Sequence, residues 1–516
     1  MVEIRSPVCG KLCSALLLEH FGSIVQNVAM DLFKNGDKSL NSIRSTTKFP
    51  LSKVQEALCV LIKLGFVSYE QNSKEILIYT LDVEKILLIL RYSRFMFFVK
   101  DNCGDESEML FEEILKHGYD TASNVIIKIY KRQLCNRPER QYSLPVLKEK
   151  FELLVQNQFL MRSVCSEKCS DEGPADRQDF SLPNLDLKSL TLMAKGANGD
   201  PGDANIYWHV NFDRFAQDLR DQLLISAITK RIDANAGELM RRMLYQMYLR
   251  TASWADTSNP IPFTELRDVI KKLENPGPGL IQHLDQYLHL IEEDSCQFIK
   301  KVGDSSGGQF SINMKEAINQ LAWATIENIV MERFGSKAAR VFRLIRAQKF
   351  IEQEKIQQIA MTPAKETKHI TYTLLQENYI QLQEVRKPGV SAAPMKTFFL
   401  FHIDLDQVVR MEIEHCYHAL HNTIQRREYE ITTNKRMIDK HLKIQTLTAT
   451  FKEKGATQEQ LEEMESMMTL PEKTQLEKVK NQVRQLGVSE LQIDDTLFLL
   501  STYLRYNEKK RKDPIK

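Results

Sequence analysis

ERFGSKAARVFRLIRAQKFIEQEKIQQIAMTPAKETKHITYTLLQENYIQLQEV, Glu332–Val385, is the stretch on which the fold turns. From Ala338 to Lys349, Val341, Phe342, Leu344 and Ile345 recur on one side of the helical period and Arg340, Arg343 and Arg346 on the other, which predicts an amphipathic helix. A second short helix is expected over Glu352–Ala360, ending at Met361. Thr362 and Pro363 then supply a cap and a first-turn proline for a third helix, which carries Ile370, Leu374 and Leu375 and stops near Asn378. YIQLQEV and TFFLFHI, rich in aromatic and β-branched residues, read as two strands around the Gly- and Pro-containing loop RKPGVSAAPMK. Three helices closed by a hairpin make a winged helix.

The same order recurs along the chain, as a reused module requires. Near the N-terminus, a helix holding Leu12, Leu16, Ile24, Val28 and Leu32 precedes LNSIRST, a helix opened by Ser52 and Gln55, and the strands FVSYE and ILIYTL. EMLFEEILKHG, TASNVIIKIYKR and LPVLKEKFELLVQNQFLMRS suggest a second unit with an indistinct wing. A third runs from IYWHVNFDRFAQDLRDQLLISAITKRI through PFTELRDVIKKL to CQFIKKV and GQFSINM across GDSSG. Three of the units share an ending: Leu61 before Phe66-Val67, Leu154 before Phe159-Leu160, and Leu374 before Tyr379-Ile380; the third keeps Phe298-Ile299. Residues 165–205, rich in Gly, Pro, Asp and Ser, read as a mobile linker or loop. Beyond Ile403, Leu405, Val409, Ile413, Cys416, Leu420 and Ile424 keep helical spacing, and Leu476, Val479, Val483 and Leu486 alternate by three and four as in a short coiled-coil seam. A further helix with Leu497, Leu500 and Leu504 precedes the basic KKRK.

Composition bounds the function. At 516 residues the chain holds roughly three to five units of ordinary domain size. Its 70 basic and 68 acidic residues leave a formal charge of +2, so any basic surface is local. The nine cysteines form no C-x-x-C pair, which signals neither a zinc ribbon nor a thioredoxin-type site. The apolar N-terminal patch is broken by Glu19 and His20, and runs such as ILLIL before Arg91 fall far short of the ~20 residues that span a bilayer. A cytoplasmic or nuclear protein is expected.

Three stretches, IYWHVNFDRF (Ile206–Phe215), ERFGSKAARVFRLI (Glu332–Ile345) and RREYEITTNKR (Arg426–Arg436), resemble the winged-helix subunit of RNA polymerase III that is related to the alpha chain of TFIIE. The likeness runs over essentially the whole chain. It implies a mainly α fold with small β-hairpins: four tandem extended winged-helix domains followed by a C-terminal helical coiled coil. It also implies a nuclear, non-catalytic subunit of the largest-member type in a polymerase III-specific heterotrimer. That heterotrimer sits on the clamp of the largest polymerase subunit and serves recruitment and promoter opening at tRNA and 5S rRNA genes. The zinc ribbon of the general-factor relative has no cysteine pairs here to build it. The expected division is 1–100, 101–165, a linker 166–205, 206–325, 326–404 and a helical bundle over 405–516.

The candidate chemistry is that of binding. Arg340, Arg343, Arg346, Lys365 and Lys368 are the candidates for a nucleic-acid backbone, while the third helix offers no Arg and Asn cluster for base readout. Leu476, Val479, Val483 and Leu486 are the candidates for a protein interface. GDSSGGQ lacks a Walker lysine and reads as a wing tip. His415, His418 and His421 share a helix near His402 without an accompanying carboxylate pattern, and Asp404 or Asp406 reads as a helix cap. Cys165 and Cys169 fall in the linker. Trp208, Phe212 and Phe215 read as the apolar face of a helix in the third unit. No catalytic residue, cofactor, metal, membrane or small-molecule substrate is expected; the partners are other polymerase subunits and promoter DNA. Two alternatives are a proteasome-lid or signalosome scaffold, which repetition of the wing opposes, and a metal-dependent hydrolase using the histidine helix.

Overall fold

Four times among the described residues, a leading helix turns sharply into a second helix, and a short extended segment, two more helices and a hairpin wing follow. The computed structural model describes residues 6–71, 76–136, 143–163, 180, 182, 184–195, 201–203, 205–272, 279–386, 397–453 and 467–507. The first block comprises Pro7–Phe21, Ser23–Asn35, Leu40–Thr47 and Leu51–Lys63, with the wing Val67–Gln71 and Leu77–Leu81. Tyr92–Cys103, Asp105–His117, Ala122–Asn136 and Leu144–Gln156 form the second, and Phe212–Arg231, Ala234–Arg250, Phe263–Lys271 and Leu284–Glu293 the third. The fourth has Met314–Phe334, Ser336–Gln348, Gln353–Ala360 and Ala364–Gln376, with the wing Gln381–Arg386 and Thr397–His402. Each leading helix extends the basic winged helix, and the helices Leu405–Thr433, Lys435–Glu453 and Leu470–Asn507 follow the last wing. The chain forms two compact bodies, one up to Leu219 and one from Arg220.

The repetition is written in backbone geometry. Gly22, Gly104 and Gly335, at φ of 82°, 96° and 87°, join leading and second helices; this region costs a residue with a Cβ and suits glycine. The third block makes the same turn with extended Asp233, whose side chain accepts from the N–H of Ala236. Before every wing stands a residue in the left-handed region, Gly65, Gln158, Gln297 or Asn378, followed by a buried aromatic ring, Phe66, Phe159, Phe298 or Tyr379. The N–H of Phe66, Phe159 and Tyr379 donates to Leu61, Leu154 and Leu374 at 2.8, 3.0 and 2.9 Å. This is the closure that satisfies the last carbonyls of a helix, and it explains the leucine–aromatic spacing. At the far end of the wing, Asp82, Asn211, Asn313 and Asp404 accept from the first turn of the next helix.

The second wing is where the sequence misleads. Tyr207–Val210, expected to open the third unit, pairs antiparallel with Leu160–Arg162 on one side and Asp120–Thr121 on the other. Trp208 is therefore a strand residue of the second block and not part of a helical face. Its ring packs edge-on against Phe151 with centroids 5.9 Å apart, in a core that also holds Phe95, Phe111, Phe159 and Phe215. Much of the supposed linker lies outside the described residues, Cys165 and Cys169 included, but Leu187–Ala194 is a helix. Leu185 and Leu190 enter the same core, and buried Asp203 accepts from the N–H of Ser123 at 2.8 Å. This part of 166–205 is docked because its few leucines find an apolar floor.

Two further expectations change. The N-terminal helix is broken at Gly22 into two, and the two terminal helices are one, Leu470–Asn507, running through Gly487. Among the described residues, no helix is long and apolar enough to cross a membrane.

Gly118 marks the tightest approach between the first and second blocks. It sits at φ 75°, and a Cβ there would lie 1.9 Å from the Lys63 carbonyl oxygen. Gly118→Ala should destabilise the first body by about 2–4 kcal/mol, combining left-handed strain with overpacking. Urea unfolding followed by peptide-resolved hydrogen exchange checks this, with loss of protection confined to residues before 219.

Candidate functional site

The arginines of the fourth block have partners on the leading helix that precedes them. Arg343 pairs with Glu327. Arg346 donates to the side-chain oxygen of Gln320 at 2.5 Å and lies over the Trp323 ring, 4.7 Å from its centre, a placement worth ~0.5–2 kcal/mol. Both therefore link Met314–Phe334 to Ser336–Gln348, so two of the three arginines expected at a nucleic-acid backbone already have partners within the chain. Arg340 is exposed and, among the described residues, makes a single long contact, 3.4 Å, to the Ala360 carbonyl. The sequence could not show this, because the partners sit one helix earlier.

Lys365 and Lys368 lie exposed on the third helix of the module, and neither has an ion-pair partner among the described residues. Met361 and Tyr372 are exposed beside them, while Glu366 is engaged by Lys337 at 2.7 Å. The same helix borders an open cavity of about 550 Å³ floored by Phe334, Ala338, Ile370 and Leu374, with His369 among its lining residues. Two lysines flanked by apolar groups favour contact with phosphate or carboxylate and give no base-specific pattern.

Sequence reasoning missed a polar chain that is buried at Tyr379 and Glu412 and exposed at its ends, Arg333 and His415. Arg333 donates to the Tyr379 hydroxyl at 2.7 Å, Tyr379 donates to Glu412, and His415 lies 3.3 Å from the other Glu412 oxygen. Burial and the Glu412 carboxylate push the Tyr379 hydroxyl up, and the Glu412 hydrogen bond raises His415 above its ordinary value. The chain ties the leading helix, the start of the wing and Leu405–Thr433 together. A signal existed: Glu412, only 3% exposed, is a carboxylate on the stripe Val409, Ile413, Cys416. His415 is thus a structural partner, and no group of three His, Cys, Asp or Glu residues placed to hold a metal occurs among the described residues.

The C-terminal seam faces inward. Leu476 and Val479 are buried and Val483 and Leu486 half-buried. Leu476 packs with Ile444 and Met468, and Lys440 spans the hairpin to Glu472 at 2.8 Å. Leu476 and Val479 thus serve the chain's own packing, while Val483 and Leu486 stay partly open.

Comparison with known proteins matches this architecture along its length. Family models match residues 11–72 (RNA polymerase III subunit RPC82 helix-turn-helix domain) and 177–321 (RNA polymerase III subunit RPC82). Two more match 326–403 (POLR3C, C-terminal winged-helix domain) and 436–499 (DNA-directed RNA polymerase III subunit RPC3, helical hairpin domain). The chain is 36% identical to DNA-directed RNA polymerase III subunit RPC3 of Mus musculus, over 97% of this chain and 99% of the relative. It is 35% identical to the subunits of the same name from Homo sapiens and Danio rerio, with the same coverage. The chain belongs to the RPC3 family. The fourth winged helix and the hairpin described above largely overlap matched regions, and the Arg333–Tyr379–Glu412 chain begins in the first of them and ends beyond it at Glu412.

Proposed function

We propose that this chain is a non-catalytic subunit of DNA-directed RNA polymerase III, nuclear, and part of a heterotrimer on the clamp of the largest subunit. It would act in recruitment, promoter opening and initiation at tRNA and 5S rRNA genes. The observation that carries the reading is the near end-to-end match to a polymerase III subunit of Mus musculus. The four winged-helix blocks support a scaffold that offers successive faces to neighbours, and by favouring the open arrangement it shifts a population without chemistry of its own. Purification of the tagged chain at moderate salt should recover the large polymerase subunits. Recovery of proteasome-lid proteins in their place would overturn the proposal.

Promoter DNA, in this reading, meets Arg340, Lys365 and Lys368 through its phosphates. Lys365→Glu with Lys368→Glu should lower the slope of log affinity against log salt by about 2. The melting midpoint stays unchanged, because both side chains are exposed. Filter binding of the assembled polymerase to a promoter duplex across a salt series measures it; an unchanged slope removes the two lysines from the interface.

A further inference from the structure

Where the first and second blocks meet, a cavity of about 300 Å³ lies between them, at the lower end of the ~300–1,000 Å³ typical of small-molecule sites. Lys63 and Gly118 both line it. The blocks approach most closely at these two residues, so that part of the wall is backbone held at contact distance. Both blocks belong to the body that ends at Leu219, and the cavity sits inside one compact unit.

Two pairs of rings border the space. Tyr92 and Phe212 stack with centroids 5.8 Å apart and planes 6° from parallel, and Tyr119 and His209 meet at 5.2 Å and 48°; all four line the cavity, with Leu64, Ile114 and Met161 completing the apolar wall. Rings set at different angles suit a flat unsaturated body, which can stack on one pair and meet the other edge-on.

The polar groups converge at Gly65. A Cβ there would stand 3.8 Å from the Tyr119 hydroxyl and 4.0 Å from Lys85 Cδ, so the hydroxyl and the lysine stem meet over that glycine. Lys63, exposed on the same rim, has no ion-pair partner among the described residues. Lys85 lies 3.4 Å from Asp82, with both side chains about a third or more open to water, a weak pairing that a better-placed anion can replace. Asp213 is the one carboxylate among the lining residues, and it is exposed. Two ammonium groups against one carboxylate leave the lining net positive. Burial holds the Tyr92 hydroxyl well above its ordinary value, so it stays protonated and can donate.

We infer that this cavity is a binding site for a small aromatic acid, with its ring between the two ring pairs and its carboxylate toward Lys63, Lys85 and the Tyr119 hydroxyl. The inference stands apart from the polymerase reading. Such a ligand touches both blocks at once and stabilises their joint by mass action. A cation of the same shape meets two ammonium groups, and a carboxylate without a ring leaves the aromatic walls uncovered.

Indole-3-acetate tests this on the full chain, with tryptamine and acetate as controls. A titration followed by ligand-detected NMR should give indole-3-acetate a dissociation constant on the order of 1 mM or below, with tryptamine and acetate at least about tenfold weaker. Lys63→Met with Lys85→Met should weaken indole-3-acetate about tenfold and leave the ligand-free melting midpoint unchanged, because both lysines are exposed. Bound ligand should slow hydrogen exchange over 63–65 and 114–119. Absence of binding by indole-3-acetate, equal binding of tryptamine, or unchanged affinity in the double lysine variant would overturn the site. Protection by indole-3-acetate that appears on the isolated chain and is lost in purified polymerase would assign the cavity to a segment of a neighbouring subunit, and would overturn it too.

Discussion

Trp208→Ala should cost the second winged-helix block about 3–5 kcal/mol, the range for removing a large buried aromatic ring. Trp208 is fully buried, stands on a strand paired on both sides, and meets Phe151 edge-on. Its loss leaves a cavity beside Phe151 in the core that also holds Phe95, Phe111, Phe159 and Phe215, beneath the two flanking strands. Peptide-resolved hydrogen exchange in mild urea reads the effect: protection should fall over 95–160 and hold over 314–430. Trp208→Phe should cost less, roughly 1–2 kcal/mol, because the indole N–H has no hydrogen-bond partner among the described residues. Loss of protection first in the helices after 234 would mean that Trp208 serves the third block, as its helix-like spacing with Phe212 and Phe215 suggests.

That spacing shows why part of the fold was legible and part was not. Much that is local could be read, although the break at Gly22 was not and Pro363, in place of Thr362, stands at the cap of Ala364–Gln376. Met361 in a left-handed conformation ends Gln353–Ala360, Asp404 caps Leu405–Thr433, and the leucine–aromatic endings fix where each wing starts. What could not be read are contacts whose two halves lie far apart in the chain. Tyr207–Val210 is a four-residue strand whose partners precede a long insertion, so its only local signal was a tryptophan at helical spacing from two phenylalanines. The seam and the helix with Leu497 read as two helices, yet Leu476 and Val479 before Gly487 and Leu497 and Leu500 after it are all buried in one. Packing on both sides outweighs the ~1 kcal/mol that glycine costs inside a helix. The candidate site divides the same way: Lys365 and Lys368 stand on the surface as their helix phase requires, whereas Glu327, Gln320 and Trp323 on the preceding helix claim Arg343 and Arg346. An exposed face read from one helix shows where a cation points, and only the neighbouring helix shows whether it is already engaged.

The same principle gives a second large effect in the other body. Arg220 is nearly fully buried. It donates to the Ser253 carbonyl at 2.7 Å and the Tyr506 hydroxyl at 2.9 Å, and its Nε and second terminal nitrogen reach one Asp221 oxygen at 2.9 and 2.8 Å. Burial works against its charge, and Asp221 and Tyr506 outweigh that, holding the guanidinium above its ordinary value. Beside it the Trp254 ring lies 5.2 Å from Arg220 and 3.5 Å from Arg505. One buried cation thus joins the leading helix of the third block, the segment after its second helix, and the end of Leu470–Asn507. Arg220→Met should destabilise this body by about 3–5 kcal/mol, the cost of removing one member of a buried charged pair. Arg220→Lys should restore little, because an ammonium cannot reproduce the planar fork that serves three partners. Limited proteolysis during a urea series should show cleavage near 494–507 at lower denaturant than in the wild type, with residues before 219 unaffected. The terminal helix holds the third block through this contact and the helix Leu405–Thr433 through Tyr503, which donates to Asp406 at 2.7 Å. If Arg220→Met instead left cleavage at 494–507 unchanged, the grip on the third block would have to come from the apolar face of the helix, Leu497, Leu500 and Tyr506.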